Sequence, residues 1–205
     1  MKPALMALLQ LRGVHYLVTR FGPTWLKALA FDGKYQSGAW HFSGGDSAEL
    51  AGIVARRARG GDILVMGCGS ASFLQQLDAT SYSTVLGVDL SAEAVRLAGQ
   101  HGGPRVRFEV ADMTRFECPQ PYDVILFSES IYYVSSAASQ ALLTKLAHHL
   151  KPGGCFIVTV AQPKRYEAIL NLIRETFVIV EDRDFQGSER RLLVFGPRSG
   201  GRMAV

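Results

Sequence analysis

Ile63-Leu64-Val65-Met66-Gly67-Cys68-Gly69-Ser70-Ala71-Ser72 is the stretch on which the fold turns. Its first four residues are apolar without alternation, the pattern of a strand covered on both faces, as in the middle of a parallel sheet. They run straight into a glycine-punctuated loop. In a parallel sheet such a strand-to-helix loop lies at the carboxyl edge, where ligands bind, and the missing β-carbons of Gly67 and Gly69 let backbone approach a bound molecule. A tight turn without a ligand explains the same glycines, so the loop alone does not separate the two readings.

Outward from this stretch, short β-rich runs alternate with amphipathic segments, which predicts a mainly parallel sheet with helices on both faces. The strands are expected at Asp62–Met66, Thr84–Val88, Val106–Val110, Tyr122–Phe127, Cys155–Ala161, Phe177–Asp184 and Arg190–Phe195. Between them, apolar spacings of three and four predict helices over Phe73–Asp78, Ala92–Gln100, Ala138–Leu150 and Arg165–Glu175. Ser91 is the expected N-cap of the second, and Lys151-Pro152-Gly153-Gly154 stops the third. Gln186-Gly187-Ser188 reads as a hairpin turn that makes the last two strands antiparallel. The expected fold is therefore α/β and Rossmann-like: seven strands, mostly parallel, with an antiparallel C-terminal strand.

Upstream there is no strand signal. Pro3–Thr19 and Pro23–Phe31 read as helices parted by Gly22-Pro23, and an aromatic, glycine-punctuated segment from Asp32 to Phe42 leads into a helix over Ser47–Arg57. Residues 1–46 are thus expected to form an N-terminal helical cap and cofactor-covering segment, 47–196 the core, and 197–205 a flexible tail.

Composition bounds the rest. A chain of 205 residues, 48% hydrophobic and 20% charged, suits one domain with a sizeable core. The apolar run from Ala4 to Leu11, interrupted at Gln10 and Arg12, falls far short of the roughly 20 residues that cross a bilayer, and lacks a signal-peptide cleavage pattern. A cytoplasmic location without membrane contact is expected. Cys68, Cys118 and Cys155 are widely spaced and contain no CxxC pair, which points to neither a disulfide framework nor a metal site. The net charge of +4 comes from scattered arginine groups without interleaved stacking aromatics, which argues against a nucleic-acid partner. Nothing in the sequence fixes the oligomeric state.

Two carboxylates raise the odds for a ligand. Asp89 closes the second strand, 22 positions after Gly67, where it can accept hydrogen bonds from both hydroxyls of a ribose. A helix-capping role is its plain alternative, but Ser91 is better placed for that. Asp112, after the third strand, is positioned to accept from an adenine amino group. After the fourth strand, Phe127-Ser128-Glu129-Ser130-Ile131-Tyr132-Tyr133-Val134 is placed to line the pocket. Glu129 reads equally as a general base and as a salt-bridge or helix-cap carboxylate.

Taken in order, these segments resemble the class I S-adenosylmethionine-dependent methyltransferases. Ile63–Gly69 is similar to the first motif of that family, Gly87-Val88-Asp89-Leu90-Ser91 to the ribose-binding second, Ala111-Asp112-Met113 to the adenine-binding motif, Tyr122-Asp123-Val124-Ile125 to the fourth strand and Leu150–Gly154 to the turn into the fifth. The resemblance covers residues 47–196. It implies S-adenosyl-L-methionine as cofactor, S-adenosyl-L-homocysteine as product, and a small-molecule acceptor methylated on N or O. It assigns the cofactor to Gly67, Cys68, Gly69, Asp89, Leu90, Asp112, Met113 and the Ser128 carbonyl, and the acceptor to Glu129 and Tyr132. Tyr35–Phe42 is similar to a cofactor-covering segment of small bacterial members akin to the nodulation-factor N-methyltransferases. It makes Tyr35 and Trp40 candidates for aromatic cover over a sulfonium, and His41 a minor candidate base. The absence of an Asn/Asp-Pro-Pro-aromatic motif disfavours base amines.

Two positions depart from the family: Val65 stands where an acid is usual and Ala71 where a third glycine is usual. They motivate a non-catalytic, regulatory relative as an alternative. A nicotinamide-dependent oxidoreductase is a further one, against which Ser72 stands at the third glycine of that fingerprint. His148 and His149, expected in the last helical turn, suit the helix dipole and need no catalytic role.

Overall fold

The computed structural model describes residues 7–9, 11–38, 40, 45–185 and 188–198. Strands β1 (Ile63–Met66), β2 (Val85–Asp89), β3 (Val106–Val110), β4 (Tyr122–Ser128), β5 (Leu150–Ala161), β6 (Val178–Asp184) and β7 (Arg190–Gly196) form one sheet in the order β3-β2-β1-β4-β5-β7-β6. The first five run parallel, and β7 is antiparallel to both β5 and β6. All four residues of β1 are buried, which is why that strand shows no polar alternation. The edge strand β6 is half-buried to exposed along its length.

Odd and even positions of the strands feed two cores. Ile63, Val65, Val124, Leu126 and Ile157 pack beneath helix α3 (Gly45–Ala58) with Leu50, Ile53 and Val54. Leu64, Ile125, Phe127, Phe156 and Phe195 pack on the opposite face against α5 (Ser136–Ala147) and α6 (Glu167–Thr176). Phe127, Phe156 and Phe195 are fully buried there, each worth about 1.5–3 kcal/mol of transfer from water. Helices α1 (Arg12–Phe21) and α2 (Thr24–Gln36) precede this core, separated by Gly22-Pro23 as expected. Helix α4 (Ala92–Ala98) follows β2, with the Ser91 hydroxyl accepting the Ala94 amide at 3.0 Å.

Several boundaries differ from expectation for local reasons. The segment expected as a helix over Phe73–Asp78 is a 3₁₀ stretch, Ser72–Gln76. The Asp78 carboxylate accepts from both the amide and the hydroxyl of Thr80, a turn that competes with helical continuation. Helix α5 stops at Ala147, so His148 is its C-cap and His149 lies beyond it. The chain is then caught early by β4: the Tyr122 amide donates to the His149 carbonyl, and β5 begins at Leu150 instead of Cys155. Register passes from Tyr122 opposite Leu150 to Val124 opposite Cys155, so Lys151–Gly154 bulges within the strand, with Gly153 at φ 79°. The expected tail is held as far as Arg198, whose guanidinium donates to the carbonyls of Glu175 and Thr176. Pro3–Met6, Gln10, Gln186–Gly187 and 199–205 lie outside the described residues.

At the amino edge, Lys151 bridges Asp62 (2.7 Å) and Asp123 (2.8 Å). Asp123 also accepts the Asp62 amide at 2.7 Å, and Asp62 accepts the Thr84 hydroxyl. This ties the starts of β1, β2, β4 and β5. Burial alone would raise the Asp62 carboxyl, but Lys151 and Thr84 hold it below its usual value. The stability it contributes is therefore present above about pH 4 and lost as pH falls through that lowered value. Gly61 is packed against this knot: a β-carbon there would lie 2.0 Å from Asp123 Oδ2 and 2.9 Å from the Ala58 carbonyl oxygen. Gly61→Ala is expected to displace the Asp123 carboxylate and cost about 1–3 kcal/mol, read as a fall of several degrees in Tm by calorimetry. An unchanged Tm would show that the knot carries no stability.

Candidate active site

Strand order reverses between β1 and β4, and at that switch point the carboxyl edge opens into a cavity of about 280 Å³. The loop after β1 forms its floor. Gly67 and Gly69 both take left-handed backbone, φ 72° and 54°. A β-carbon at Gly67 would sit 2.5 Å from the Ser130 β-carbon, and one at Gly69 would sit 2.7 Å from the Tyr35 hydroxyl. Both glycines are thus required by conformation and by space. Ser130 donates to the Met66 carbonyl at 2.6 Å, closing the end of β1. Ala71 adopts φ 52°, the conformation a glycine would take, at a cost of about 1–2 kcal/mol. Val65 is buried in an apolar cluster with Leu50, Phe73 and Phe185, surroundings that suit its side chain and would penalise the acid usual in the family.

Asp89 is the centre of the loop side. Its Oδ2 accepts the Gly69 amide and its Oδ1 the Ser91 amide, each at 2.9 Å. Each carboxylate oxygen accepts more than one bond, so both retain capacity toward a pair of ribose hydroxyls. Burial pushes this carboxyl above its usual value, the Ser91 and Gly69 amides pull it back, and the nearby Asp32 charge adds to the rise. Asp32 itself accepts the Ser91 hydroxyl at 2.6 Å and the Glu93 amide at 3.1 Å. Helix α2 is thereby fastened to the N-terminus of α4.

Tyr35 and Trp40 line the cavity, as expected, and the structure adds Phe31 and Tyr133 beside them. Trp40 lies 5.2 Å from Tyr35, 5.7 Å from Phe31 and 5.9 Å from Tyr133, with His15 edge-on behind it. The four rings exclude water and present π-faces that favour a cation. His41 lies outside the described residues. Cys68, Leu90, Met113 and Ser128 also line the cavity, whereas Asp112 does not. This departs from the sequence expectation. The Asp112 carboxylate accepts from the Thr114 amide and hydroxyl, at 2.9 and 2.7 Å, and from the Thr24 hydroxyl at 3.2 Å. It fastens α2 to the loop after β3, with Oδ1 taken up by Thr114 and Oδ2 accepting the Thr24 hydroxyl alone.

Glu129 and Tyr132 meet on the far side. Glu129 stands at φ 55° just after β4, and its Oε2 accepts the Ala161 amide (2.6 Å) and the Tyr132 hydroxyl (2.9 Å). Its Oε1 is buried without a hydrogen-bond partner, 3.8 Å from Arg190 Nε. Burial and the Glu129 charge push the Tyr132 phenol far up, so it remains protonated and serves as a donor. Arg190, Thr159 and Phe185, which the sequence did not point to, complete this wall. Arg190 arrives through the β5–β7 register, opposite Ala161, and no local motif marks it.

This sheet order, with a glycine loop after β1 and an acid closing β2, defines the class I methyltransferase architecture. Residues 63–154 match the family described as methyltransferase domain. Over 99 residues, 48% of the chain, it is 31% identical to the trans-aconitate 2-methyltransferase of Deinococcus radiodurans, and the matched stretch spans 37% of that protein's length. Among solved structures it resembles the N-methyltransferase NodS of Bradyrhizobium japonicum in complex with S-adenosyl-L-homocysteine, with a TM-score of 0.64 at 16% identity, covering 95% of this chain and 96% of that one. A TehB-like S-adenosylmethionine-dependent methyltransferase of Corynebacterium glutamicum gives a TM-score of 0.58 at 21% identity, covering 80% and 93%. The fold is shared at these identities. Among the described residues, no helix is long and apolar enough to cross a membrane.

Asp32→Ala removes the fastening between α2 and α4. It is expected to cost about 1–3 kcal/mol and to speed amide exchange across Thr24–Gln36. Unaltered exchange there would mean that the aromatic cover is held by packing alone.

Proposed function

We propose that this protein is an S-adenosylmethionine-dependent methyltransferase that methylates a nitrogen or oxygen atom of a small-molecule acceptor. The observation that carries this reading is Asp89, held by two loop amides at the end of β2 with acceptor capacity to spare, facing a cavity roofed by four aromatic rings. The relative named for trans-aconitate supports a small acceptor, as does the modest volume of the cavity.

The cofactor, when bound, supplies an electrophilic methyl group with its leaving group built in. The chain's part is alignment and exclusion of water. Asp89 grips the ribose, the glycine loop admits the cofactor backbone-close, and Phe31, Tyr35, Trp40 and Tyr133 dry the reacting centre. Alignment of this kind is worth on the order of 7–11 kcal/mol of barrier. Glu129 is the proton acceptor: Tyr132 and the Ala161 amide fix one of its oxygens, and the other has no hydrogen bond and lies 3.8 Å from Arg190 Nε. No metal enters this reading, and among the described residues no cluster suits one.

Asp89→Ala should lower affinity for S-adenosylmethionine by roughly 10- to 100-fold, on about 1.5–3 kcal/mol per charged hydrogen bond; unchanged affinity by calorimetry would sink the assignment. Because the carboxyl is raised by burial, affinity should fall as pH drops through that raised value, above 3.8, and Asp89→Asn should flatten this dependence. In the protein without ligand the same shift has the opposite sign: the folded state favours the proton, and stability declines as pH rises through that interval. Glu129→Gln should lower kcat by about 10²-fold or more with cofactor affinity intact. A loss under about tenfold would reduce Glu129 to a brace for Tyr132.

A further inference from the structure

Two properties of the N-terminal helices play no part in the cavity they cover: their charge and their outward face. Residues 1–44 hold Lys2, Arg12, Arg20, Lys27 and Lys34 against Asp32 alone, whereas residues 45–205 hold 17 basic and 17 acidic side chains. The whole net charge of +4 therefore belongs to this segment. Two acids hydrogen-bonded on its helices are engaged, Asp32 by the Ser91 hydroxyl and the Glu93 amide, Asp112 by Thr24 and Thr114. Arg165, from the turn after β5, adds a cation at the border, its guanidinium 5.2 Å from the centre of the Tyr16 ring.

The outward face is apolar. Among the described residues, six of the nine exposed large hydrophobic side chains lie between Leu8 and Trp25, and the other three are valines of the edge strands β3 and β6. On its inward side α1 carries the buried Thr19 and also His15, which stands edge-on to Phe31 and Trp40 behind the cavity roof. Gly13, Leu17 and Phe21 follow one another at four-residue spacing on the side that meets solvent. Phe21 and Trp25 flank the Gly22-Pro23 break at 76% and 63% exposure. Exposed apolar side chains gathered in this way mark an interaction surface, unlike single ones scattered over a protein. A second copy of the chain docked on this face would set like charge against like charge. A lipid surface with anionic headgroups suits both properties: Trp, Phe and Leu enter the boundary between headgroups and acyl chains while the positive charge meets phosphate.

We propose that α1 and the start of α2 dock on an anionic lipid surface, with Leu17, Phe21 and Trp25 inserted at the headgroup boundary. The apolar run near the N-terminus is too short to span a bilayer, and the expectation of no membrane contact followed from that length. A helix that lies in the plane of the surface needs an apolar face and no particular span. The inference goes beyond the catalytic reading and does not depend on it. It places the outer side of the cavity roof against the membrane.

The test mixes the full chain with unilamellar vesicles of phosphatidylcholine alone, or of phosphatidylcholine and phosphatidylglycerol in equal parts, and reads binding by co-sedimentation. Anionic vesicles should bind about tenfold or more tighter than neutral ones, and the margin should narrow as salt rises. Leu17→Ser combined with Phe21→Ser should lower affinity for anionic vesicles by about tenfold or more, with Tm and circular dichroism unchanged. Vesicles with brominated acyl chains should quench the tryptophan emission of the unaltered protein, and Trp25→Phe should lose most of that quenching. Equal affinity for the two vesicles, affinity for neither, full affinity in the double variant, or quenching retained in Trp25→Phe overturns the proposal. So does a dimer in analytical ultracentrifugation that the double variant abolishes, because it assigns the face to a second copy. If the double variant does not fold, the vesicle preference and the quenching in Trp25→Phe still decide.

Discussion

The Asp89 carboxylate is the constraint on which the remainder of the site depends. One oxygen receives the amide of the loop after β1 and the other the amide that leads into α4, so a single buried charge sets the relative position of two segments of the carboxyl edge. Asp32 extends the same chain of contacts into α2 through Ser91. The N-terminal helices are therefore tied to the cofactor loop by polar bonds, while their aromatic residues close over it. A buried carboxylate is costly unless its lone pairs are used. Here they are used to organise the loop, and that organisation is what a nucleoside requires.

Strain is concentrated along the same edge. Of the non-glycine residues with left-handed backbone, three lie at this edge, Ala71 after β1, Glu129 after β4 and Gln162 after β5, while Arg59, ahead of β1, lies at the other. Conformations of this kind cost of order 1–3 kcal/mol each and persist where surrounding structure over-determines them. At Glu129 the restraint is visible: amide and carboxylate are both bonded to β5, through Thr159 and Ala161. The opposite, amino edge has its own fastening, the Asp62–Lys151–Asp123 knot, none of whose residues lines the cavity. The sheet is pinned at one edge, and most of the left-handed non-glycine backbone sits at the other.

Much of this was legible in the chain. The apolar run Ile63–Met66, the glycines after it and Asp89 after the second run define the fold and the loop side of the site, because strand period, glycine conformation and the reach of a carboxylate are properties of a few neighbouring residues. Boundaries slipped where local chemistry competed with periodicity, as at the Asp78 turn that ends a 3₁₀ stretch and at Lys151–Gly154, which the β4 ladder draws into β5. Asp112 shows the same limit in the site. Its motif context pointed to adenine, yet a nearer pair of partners, Thr114 and Thr24, holds its carboxylate.

The sequence by itself determined the order of elements, the parallel sheet, the antiparallel ending and most of the residues on the loop side of the cavity. Tertiary structure alone decided which distant residues share the cavity: Phe31 from α2, Tyr133 from the turn after β4, Phe185 from the end of β6 and Arg190 from the start of β7. The physical reason is register. A side chain's secondary structure follows from its neighbours in sequence, but its company in a cavity follows from strand pairing and helix packing summed over the whole chain.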